Sequence, residues 1–407
     1  MPKSRKKSFF GSVKYLTKDF TKVFSRTLAA GLAYLAINAF TGLPAVDKKE
    51  AAGDQIQRSL TDAAQTYSTS PRHILGEPVV LLGSSLVMSP IWAADVKYGH
   101  FMQDVSNHHR SIRLKESMDK VGIHKDAVSL ATPGQFVSDA YLIVDKYLKA
   151  EHKPQVLIYG VAPRDFTDST SNGLVTSVFN QVAGLGDMQK VRSLFLTTFD
   201  ENLNFILERT VFLYHKRGRY QTKCEEAAEK VAMRIFPSLR AKANEEKAKA
   251  GTPFLLGTNH DEIWKDSLAE YGRRYKNMDD PLFTRQQTCL RAMLATCKER
   301  GIKIYVLAMP LSDDNIKLMQ PGFYERYISA VKEETTRAGV PLVNLQADGG
   351  YTDDDFYDTV HLNQTGGDRF VAQVTRLVKS SNEGLAYTPS LIKEDKQLAM
   401  PASGKVY

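Results

Sequence analysis

The clearest indication of the fold class is the stretch Pro78-Val79-Val80-Leu81-Leu82-Gly83-Ser84-Ser85-Leu86. A short unbroken apolar run is typical of a parallel strand covered on both faces, and the glycine and serines that follow it indicate a sharp turn. We therefore predict a strand over 78–83 that runs through a sharp turn into a helix. Such a junction places a serine hydroxyl above the carboxyl edge of a sheet, where ligands of open α/β sheets bind. An ordinary surface turn can have the same sequence.

Four further apolar runs of this kind follow, with helical patterns between or beside them. The runs span 127–131, 156–161, 304–309 and 340–345, and the helical patterns include 138–150, 284–300 and 324–338. Alternating strands and helices predict a parallel sheet with helices on both faces. The expected fold class is therefore α/β, a three-layer α/β/α, doubly wound parallel sheet.

The strand pattern stops between Asp165 and about Pro281, where helical patterns over 188–213 and 224–249 predict a helical insertion. The last residues are polar and are predicted to be extended. The predicted division is a basic segment with a membrane anchor or signal (1–46), a polar linker (47–74), the α/β domain (75–165 and 281–380), the insertion (166–280) and the tail (381–407).

The net charge of +8 is concentrated at the N-terminus. Residues 1–26 contain eight basic residues and one acidic residue, so they carry +7 and leave the rest of the chain almost neutral. A protein that binds a nucleic-acid duplex needs cations spread over a folded face. The charge pattern therefore argues against nucleic acid as a partner.

Residues 27–46 form a run of twenty residues without a charge. About twenty apolar residues span a bilayer, and preceding cations favour a cytoplasmic N-terminal side. Within 9–24, apolar residues recur at helical spacing among lysines, which suits a helix in the lipid headgroups. We expect the N-terminus to bind a membrane and the body to lie outside the cytoplasm, in the periplasm or at the cell surface. A cleaved signal peptide and an amphipathic helix packed on the body are the alternatives.

A second motif, Asp358-Thr359-Val360-His361-Leu362-Asn363, precedes Gly366 and a helical pattern over 370–378. A carboxylate three residues before a histidine can hold one ring nitrogen and leave the other to take a proton from a serine. Imidazole suits this task because it titrates near neutral pH. By itself the motif is better interpreted as a helix start, with Asn363 or Thr365 as the cap and Asp358 in solvent. A doubly wound sheet, however, can bring it to the same edge as Ser85.

Two other clusters are weaker candidates for a metal site. His108 and His109 are adjacent, so their side chains point apart, and no partner lies at helical spacing. The run Asp353-Asp354-Asp355 lacks the spaced ligands and the glycine of a calcium loop. We predict neither a metal nor any other cofactor.

Together, the strand that runs into Gly83-Ser84-Ser85-Leu86 and the Asp358-Thr359-Val360-His361-Leu362 motif with Gly366 resemble the SGNH/GDSL hydrolase superfamily. The resemblance covers about 75–165 and 300–380 and implies the flavodoxin-like form of the fold. It implies that Ser85 is the nucleophile, His361 the general base and Asp358 its orienting acid.

Two shorter stretches between these motifs also resemble the superfamily, although more weakly. They imply an oxyanion and substrate site with the backbone N–H groups of Ser85 and Gly134 as donors. The residues that these stretches contribute to this edge are Gly134 and Gln135 after the second strand, and Gly160 and Arg164 at and after the third.

Two positions depart from the family pattern. Its Gly-Asp-Ser is Gly83-Ser84-Ser85 here, and its Gly-x-Asn-Asp is replaced by Gly160-Val161-Ala162-Pro163-Arg164-Asp165, so the Asn donor is missing. Arg164 is then a charge for the oxyanion, a ligand for an anionic acyl carrier, or only the ion-pair partner of Asp165. A lost donor costs on the order of 100-fold in rate. The alternative function is therefore a catalytically degenerate domain that serves as an envelope assembly or polymer-binding partner.

An anchored body with these motifs also resembles the SGNH branch that accompanies membrane-bound O-acyltransferases, as in teichoic-acid D-alanylation and alginate O-acetylation. The resemblance implies serine-dependent hydrolysis or O-acyl transfer on cell-envelope polysaccharide or lipid-linked esters, through an acyl-serine intermediate. The implied partners are the membrane, an ester-bearing polysaccharide or lipid, and a membrane-bound O-acyltransferase.

Overall fold

All five apolar runs form strands in a computed structural model that describes residues 55–99, 104–170, 173–211, 259–278 and 280–392, with a few isolated positions besides. The strands are β1 (Val79–Leu82), β2 (Ala127–Ser129), β3 (Val156–Val161), β4 (Ile304–Ala308) and β5 (Leu342–Asn344). Every residue of β1, β3 and β4 is buried, which is expected of strands covered on both faces.

The strands pair in the order β2-β1-β3-β4-β5, and every pair is parallel. This order has a topological switch point between β1 and β3, and ligands of such sheets bind there, beyond the carboxyl ends of the strands. The structure confirms the predicted α/β fold class. Ser85 follows β1 and Arg164 follows β3, so both lie at the switch point.

The described helices connect and flank these strands. In chain order they are α1 (Gln55–Ser68), α2 (Arg72–Leu75), α3 (Ser85–Lys97), α4 (Ile112–Lys120), α5 (Val137–Tyr147), α6 (Ser177–Val182), α7 (Met188–Leu194), α8 (Phe199–Thr210), α9 (His260–Arg274), α10 (Asp280–Glu299), α11 (Asp313–Lys317), α12 (Phe323–Ala338), α13 (Leu345–Asp348) and α14 (Gln364–Asn382). Short 3-10 turns lie at Val105–Asn107, Ala150–His152, Pro163–Asp165, Leu185–Asp187, Asp353–Asp355 and Pro389–Leu391.

Two groups of helices form the outer layers. Helices α3, α4 and α14 pack against one another, and α10 packs against α5 and α12. Helices α3 and α14 approach closely at Gly367, where an added Cβ would lie 2.4 Å from the carbonyl oxygen of Pro90. Since α3 begins at Ser85 and α14 begins three residues after His361, this packing brings the two predicted motifs together.

One predicted helix, 188–213, is two helices in the structure. Helix α7 ends at Leu194 and α8 begins at Phe199, because Thr198 starts a new helix with its own capping box. The Thr198 hydroxyl accepts a hydrogen bond from the Glu201 N–H (3.1 Å), and the Glu201 carboxylate accepts one from the Thr198 N–H (2.9 Å). The other predicted helix of the insertion, 224–249, lies outside the described residues.

The chain divides into two compact units, one of residues 1–46 and 196–247, the other of residues 47–195 and 248–407. The sheet and both predicted motifs belong to the second unit. In the part of the chain that the structure describes, no helix is long and apolar enough to cross a bilayer. The uncharged run 27–46, on which the predicted anchor rests, lies outside that part except for three isolated residues.

Candidate active site

The turn after β1 presents Ser85 at the carboxyl edge of the sheet. Gly83 has a φ of 147°, and a Cβ there would lie 2.5 Å from the Gly160 carbonyl oxygen, so only glycine fits. Ser84 is the N-cap of α3 and Ser85 is its first residue. The Ser85 side chain therefore sits at the start of a helix and is partly exposed, while Ser84 is buried.

The loop that carries Asp358 and His361 is a tight turn held by its own backbone. Phe356 and Leu362 form an antiparallel bridge, and the Tyr357 N–H donates to the His361 carbonyl oxygen (2.8 Å). Immediately after the turn, the Asn363 side chain caps α14 by accepting from the N–H groups of Thr365 and Gly366. The helix-start interpretation of this motif and the catalytic one are thus both compatible with the same loop.

The two motifs meet in a continuous hydrogen-bonded chain. The Nδ1 atom of His361 lies 2.7 Å from Asp358 Oδ2, and its Nε2 atom lies 2.9 Å from Ser85 Oγ. Asp358 and His361 are 7% and 6% exposed, so the acid and the ring are shielded from water while the serine remains reachable. This is the order in which an acid orients a histidine and the histidine accepts a serine proton.

The Asp358 carboxylate is held in its ionised form. Burial alone would raise the pKa of Asp358, but the electrostatic interaction with His361 and the hydrogen bonds that the carboxylate accepts outweigh this effect and hold its pKa below the ordinary value. Besides the imidazole, the donors are the backbone N–H groups of Val360 and His361, each 2.8 Å from Oδ1. An ionised acid at Nδ1 keeps the proton there and leaves Nε2 free as a base.

Residues outside both motifs fix this loop. The Thr359 hydroxyl lies 2.5 Å from the Ser267 hydroxyl of α9 and accepts from the Asn315 side-chain amide (3.0 Å). Its carbonyl oxygen accepts from the Ser312 N–H (3.1 Å), and all four residues are buried. Sequence reasoning did not identify these contacts, because nothing in the local sequence distinguishes Ser267 or Asn315 from other polar residues.

The loop after β2 lies against the turn after β1. The Thr132 N–H donates to the Gly83 carbonyl oxygen (3.1 Å), and Gly134 adopts a φ of 66°. The Gln135 side chain turns back onto its own loop, where its amide donates to Thr132 Oγ1 (3.1 Å). The structure thus brings Gly134 beside the site, whereas the Gln135 side chain supports the loop.

The end of β3 supplies the remaining predicted residues. Gly160 is buried within the strand, where a Cβ would lie 2.4 Å from Val87 of α3, so it permits close packing beneath Ser85. Arg164 follows in a 3-10 turn and is only 8% exposed. Its guanidinium lies over Gly134, with Nη2 3.3 Å from the position that a Cβ on Gly134 would take. Gly134 and Arg164 therefore face each other, while Gly160 acts through packing.

Comparison with known proteins gives distant structural similarities. The chain resembles an acetyl xylan esterase (13% identity, 74% of this chain and 98% of that one, TM-score 0.32). It also resembles a catalytic mutant of an acetylxylan esterase from Geobacillus stearothermophilus (11%, 77% and 96%, TM-score 0.33) and a proposed acylhydrolase from Bacteroides fragilis (11%, 80% and 97%, TM-score 0.34). No curated protein matches the chain.

A family model gives the clearer assignment. The family described as protein of unknown function (DUF1574) matches residues 115–369, a span that contains Asp358 and His361 and begins after Ser85. Because this span is more than half of the 407 residues, the protein belongs to the DUF1574 family.

Proposed function

We propose that this protein is a serine-dependent acyl-ester hydrolase or O-acyltransferase. The observation that carries the proposal is the continuous chain from Asp358 through His361 to Ser85, with hydrogen bonds of 2.7 and 2.9 Å. It ends on a partly exposed serine at the switch point of the sheet, where ligands of this fold class bind. Geometry of this kind activates a hydroxyl that is otherwise a weak nucleophile.

The mechanism follows from the positions of these atoms. Ser85 Oγ attacks an ester carbonyl carbon as its proton passes to His361 Nε2, and Asp358 stabilises the resulting imidazolium. The carbonyl oxygen becomes an oxyanion, which the backbone N–H groups of Ser85 and Gly134 are proposed to stabilise. The intermediate expels the alcohol, which takes the proton from His361 and leaves an acyl-serine. Water or a second hydroxyl then attacks the acyl-serine by the reverse steps.

The test is labelling of the full-length protein with a fluorophosphonate, which reacts with activated serines. We expect the wild-type protein to be labelled and the S85A and H361A variants not to be. The matched control is S89A, since Ser89 is a fully buried serine of the same helix whose hydroxyl has no partner among the described residues. Labelling that survives S85A, or a folded wild-type protein that is not labelled, would favour the degenerate assembly or polymer-binding alternative.

The acceptor and the location extend the same proposal. We propose that the acyl group moves to or from an ester-bearing envelope polysaccharide or lipid, outside the cytoplasm and beside a membrane-bound O-acyltransferase. The support is the sequence resemblance and the +7 charge of residues 1–26, which suits anionic lipid. Incubation of the acyl-enzyme with a sugar alcohol separates the two activities, because a transferase gives acylated sugar and a hydrolase gives only free acid.

A further inference from the structure

Arg164 is a largely buried cation, and one nitrogen of its guanidinium group, Nη2, has no hydrogen-bond acceptor among the described residues. Its Nε atom donates to Asp168 Oδ2 (3.2 Å), and its Nη1 atom donates to the Gln135 carbonyl oxygen (3.4 Å) and lies 3.6 Å from Asp165 Oδ1. The guanidinium carbon lies 4.5 Å from the centre of the Phe136 ring. Nη2 is not one of the buried polar atoms that lack a partner, so this nitrogen reaches solvent and is open to a ligand, while the rest of the guanidinium group is held in place.

Nη2 lies beside the loop after β2, which contacts the turn before Ser85. Nη2 faces Gly134, two residues after Thr132, whose N–H binds the Gly83 carbonyl oxygen at the turn that ends in Ser85. A second observation comes from Tyr271 of α9: burial and the Asp358 carboxylate raise its pKa, whereas Arg164 lowers it. One tyrosine hydroxyl therefore lies within the electrostatic range of both Asp358 and Arg164.

The ligand that fits Nη2 is a negatively charged oxygen. The charge that forms next to Ser85 during acylation is the oxyanion of the tetrahedral intermediate. A hydrogen bond from a guanidinium to an anionic oxygen is roughly twice as strong as one between neutral groups. A rigidly held donor is also effective because it needs no reorganisation when the charge appears. The 3-10 turn at Pro163–Asp165 and the three contacts of Nε and Nη1 supply that rigidity.

We infer that Arg164 is a catalytic residue whose Nη2–H donates to the oxyanion formed when Ser85 attacks the ester, in place of a neutral side-chain amide. This inference rests on the proposed function. As the Ser85 Oγ–C bond forms, the carbonyl π electron pair moves onto oxygen and meets Nη2–H. When the C–O bond to the alcohol breaks, the pair returns and the alcohol leaves with the proton from His361.

Two other roles for Arg164 make different predictions. If it binds an anionic group of the substrate, only esters that carry such a group depend on it. If it only neutralises Asp168, then Arg274 has an equivalent role, because its Nη1 atom lies 2.5 Å from the same carboxylate oxygen, Asp168 Oδ2. Arg274→Ala is therefore the matched control.

The experiment compares the full-length wild-type protein with R164A, R164Q and R274A on two esters, p-nitrophenyl acetate and mono-p-nitrophenyl succinate. We expect R164A to lower kcat about 100-fold or more on both esters, with KM changed by no more than about threefold. R164Q keeps an N–H donor on a shorter, neutral side chain and should retain part of the rate. R274A should remain within about threefold of wild type. Thermal unfolding checks that each variant is folded, and R164Q serves if R164A is not.

Three results would overturn the inference while leaving the proposed function intact: an R164A variant as fast as wild type, a defect confined to the KM of the succinate ester, or an equal loss of kcat in R274A. A folded wild-type protein that neither hydrolyses the esters nor reacts with a fluorophosphonate would overturn the proposed function, and this inference with it.

Discussion

Two buried aspartate–histidine pairs in this protein have nearly the same geometry, and only one of them reaches a serine. His361 Nδ1 lies 2.7 Å from Asp358, and His108 Nε2 lies 2.6 Å from Asp95. Each carboxylate also accepts two backbone hydrogen bonds. The donors are the N–H groups of Val360 and His361 for Asp358, and those of Ile112 and Arg113 for Asp95.

The two pairs differ in position. Helix α3 begins at Ser85 and contains Asp95 ten residues later, which is about 15 Å along the helix, so the second pair is remote from the carboxyl edge. The His108 ring is buried, and within the described chain its side-chain hydrogen bond is to Asp95, with none to a serine, threonine or cysteine. The Asp95 side chain instead holds the first N–H groups of α4. An aspartate–histidine pair is therefore no catalytic signature until the fold places a reachable hydroxyl on the second nitrogen.

The strongest test of this comparison is to remove the charge from each acid in turn. D358N should lower kcat for ester hydrolysis about 10⁴-fold, because an amide presents an N–H to the imidazole and favours the wrong tautomer. D95N should leave kcat within a few-fold of wild type. Steady-state kinetics on p-nitrophenyl acetate measures both. Similar losses in the two variants would mean that the pairs are not functionally distinct.

Replacing each histidine should have the opposite order of effects on stability: the loss should be larger for the Asp95–His108 pair than for the Asp358–His361 pair. H108A leaves the fully buried Asp95 without its side-chain partner and should lower the free energy of unfolding by about 2–3 kcal/mol. H361A should cost less, since Asp358 lies closer to solvent and keeps its backbone donors. Urea unfolding of both variants gives the values. An H108A protein as stable as wild type would show that the second pair is not structural.

A third buried histidine, His109, has a hydrogen bond to a backbone carbonyl and, within the described chain, none to a carboxylate, and its pKa is lowered. The His109 Nδ1–H donates to the Ser129 carbonyl oxygen (3.2 Å), while Nε2 is buried and has no partner among the described residues. Burial, opposed in part by that hydrogen bond and by Asp62, lowers the pKa of His109 from 6.5 to about 4. The unfolded chain then takes up the proton first, so the protein is fully stable above about pH 7 and loses stability as pH falls from 6.5 towards 4.

The expected loss between pH 7 and pH 5 is about 2 kcal/mol, the smallest of the three effects. Urea unfolding at pH 7 and pH 5 measures it, and His109→Asn, whose amide can still donate to Ser129, should flatten the dependence. If the variant keeps the wild-type slope, another group is responsible for the loss.

The strands and the three hydrogen-bonded residues of the candidate site could be located from the sequence because their signals are local. Each strand is a continuous apolar run, and Asp358 and His361 lie within four residues of one another. Ser85 was marked by its place directly after such a run. The break between α7 and α8 also had a local signal, the Thr198-x-x-Glu201 capping box, and it was missed.

The residues that hold the Asp358–His361 loop in place had no local sequence pattern to identify them. Ser267 and Thr359 are 92 residues apart, and each is one of many hydroxyl residues whose pairing only the folded chain defines. The same holds for His108, which lies 13 residues from Asp95 and was considered only as a metal ligand. Arg164 stood out in the sequence because it lies in the stretch that replaces the family's Gly-x-Asn-Asp. Only the structure shows that its Nη2 atom faces Gly134.

The hydrogen bond between Ser85 and His361 joins residues 276 positions apart. During synthesis Ser85 therefore leaves the ribosome long before His361, and the loop that holds His361 must dock before the two side chains can meet. A nascent or prematurely terminated chain has a serine of ordinary reactivity. On the proposed function, a growing chain that does not yet include a folded His361 loop does not attack the esters that it meets.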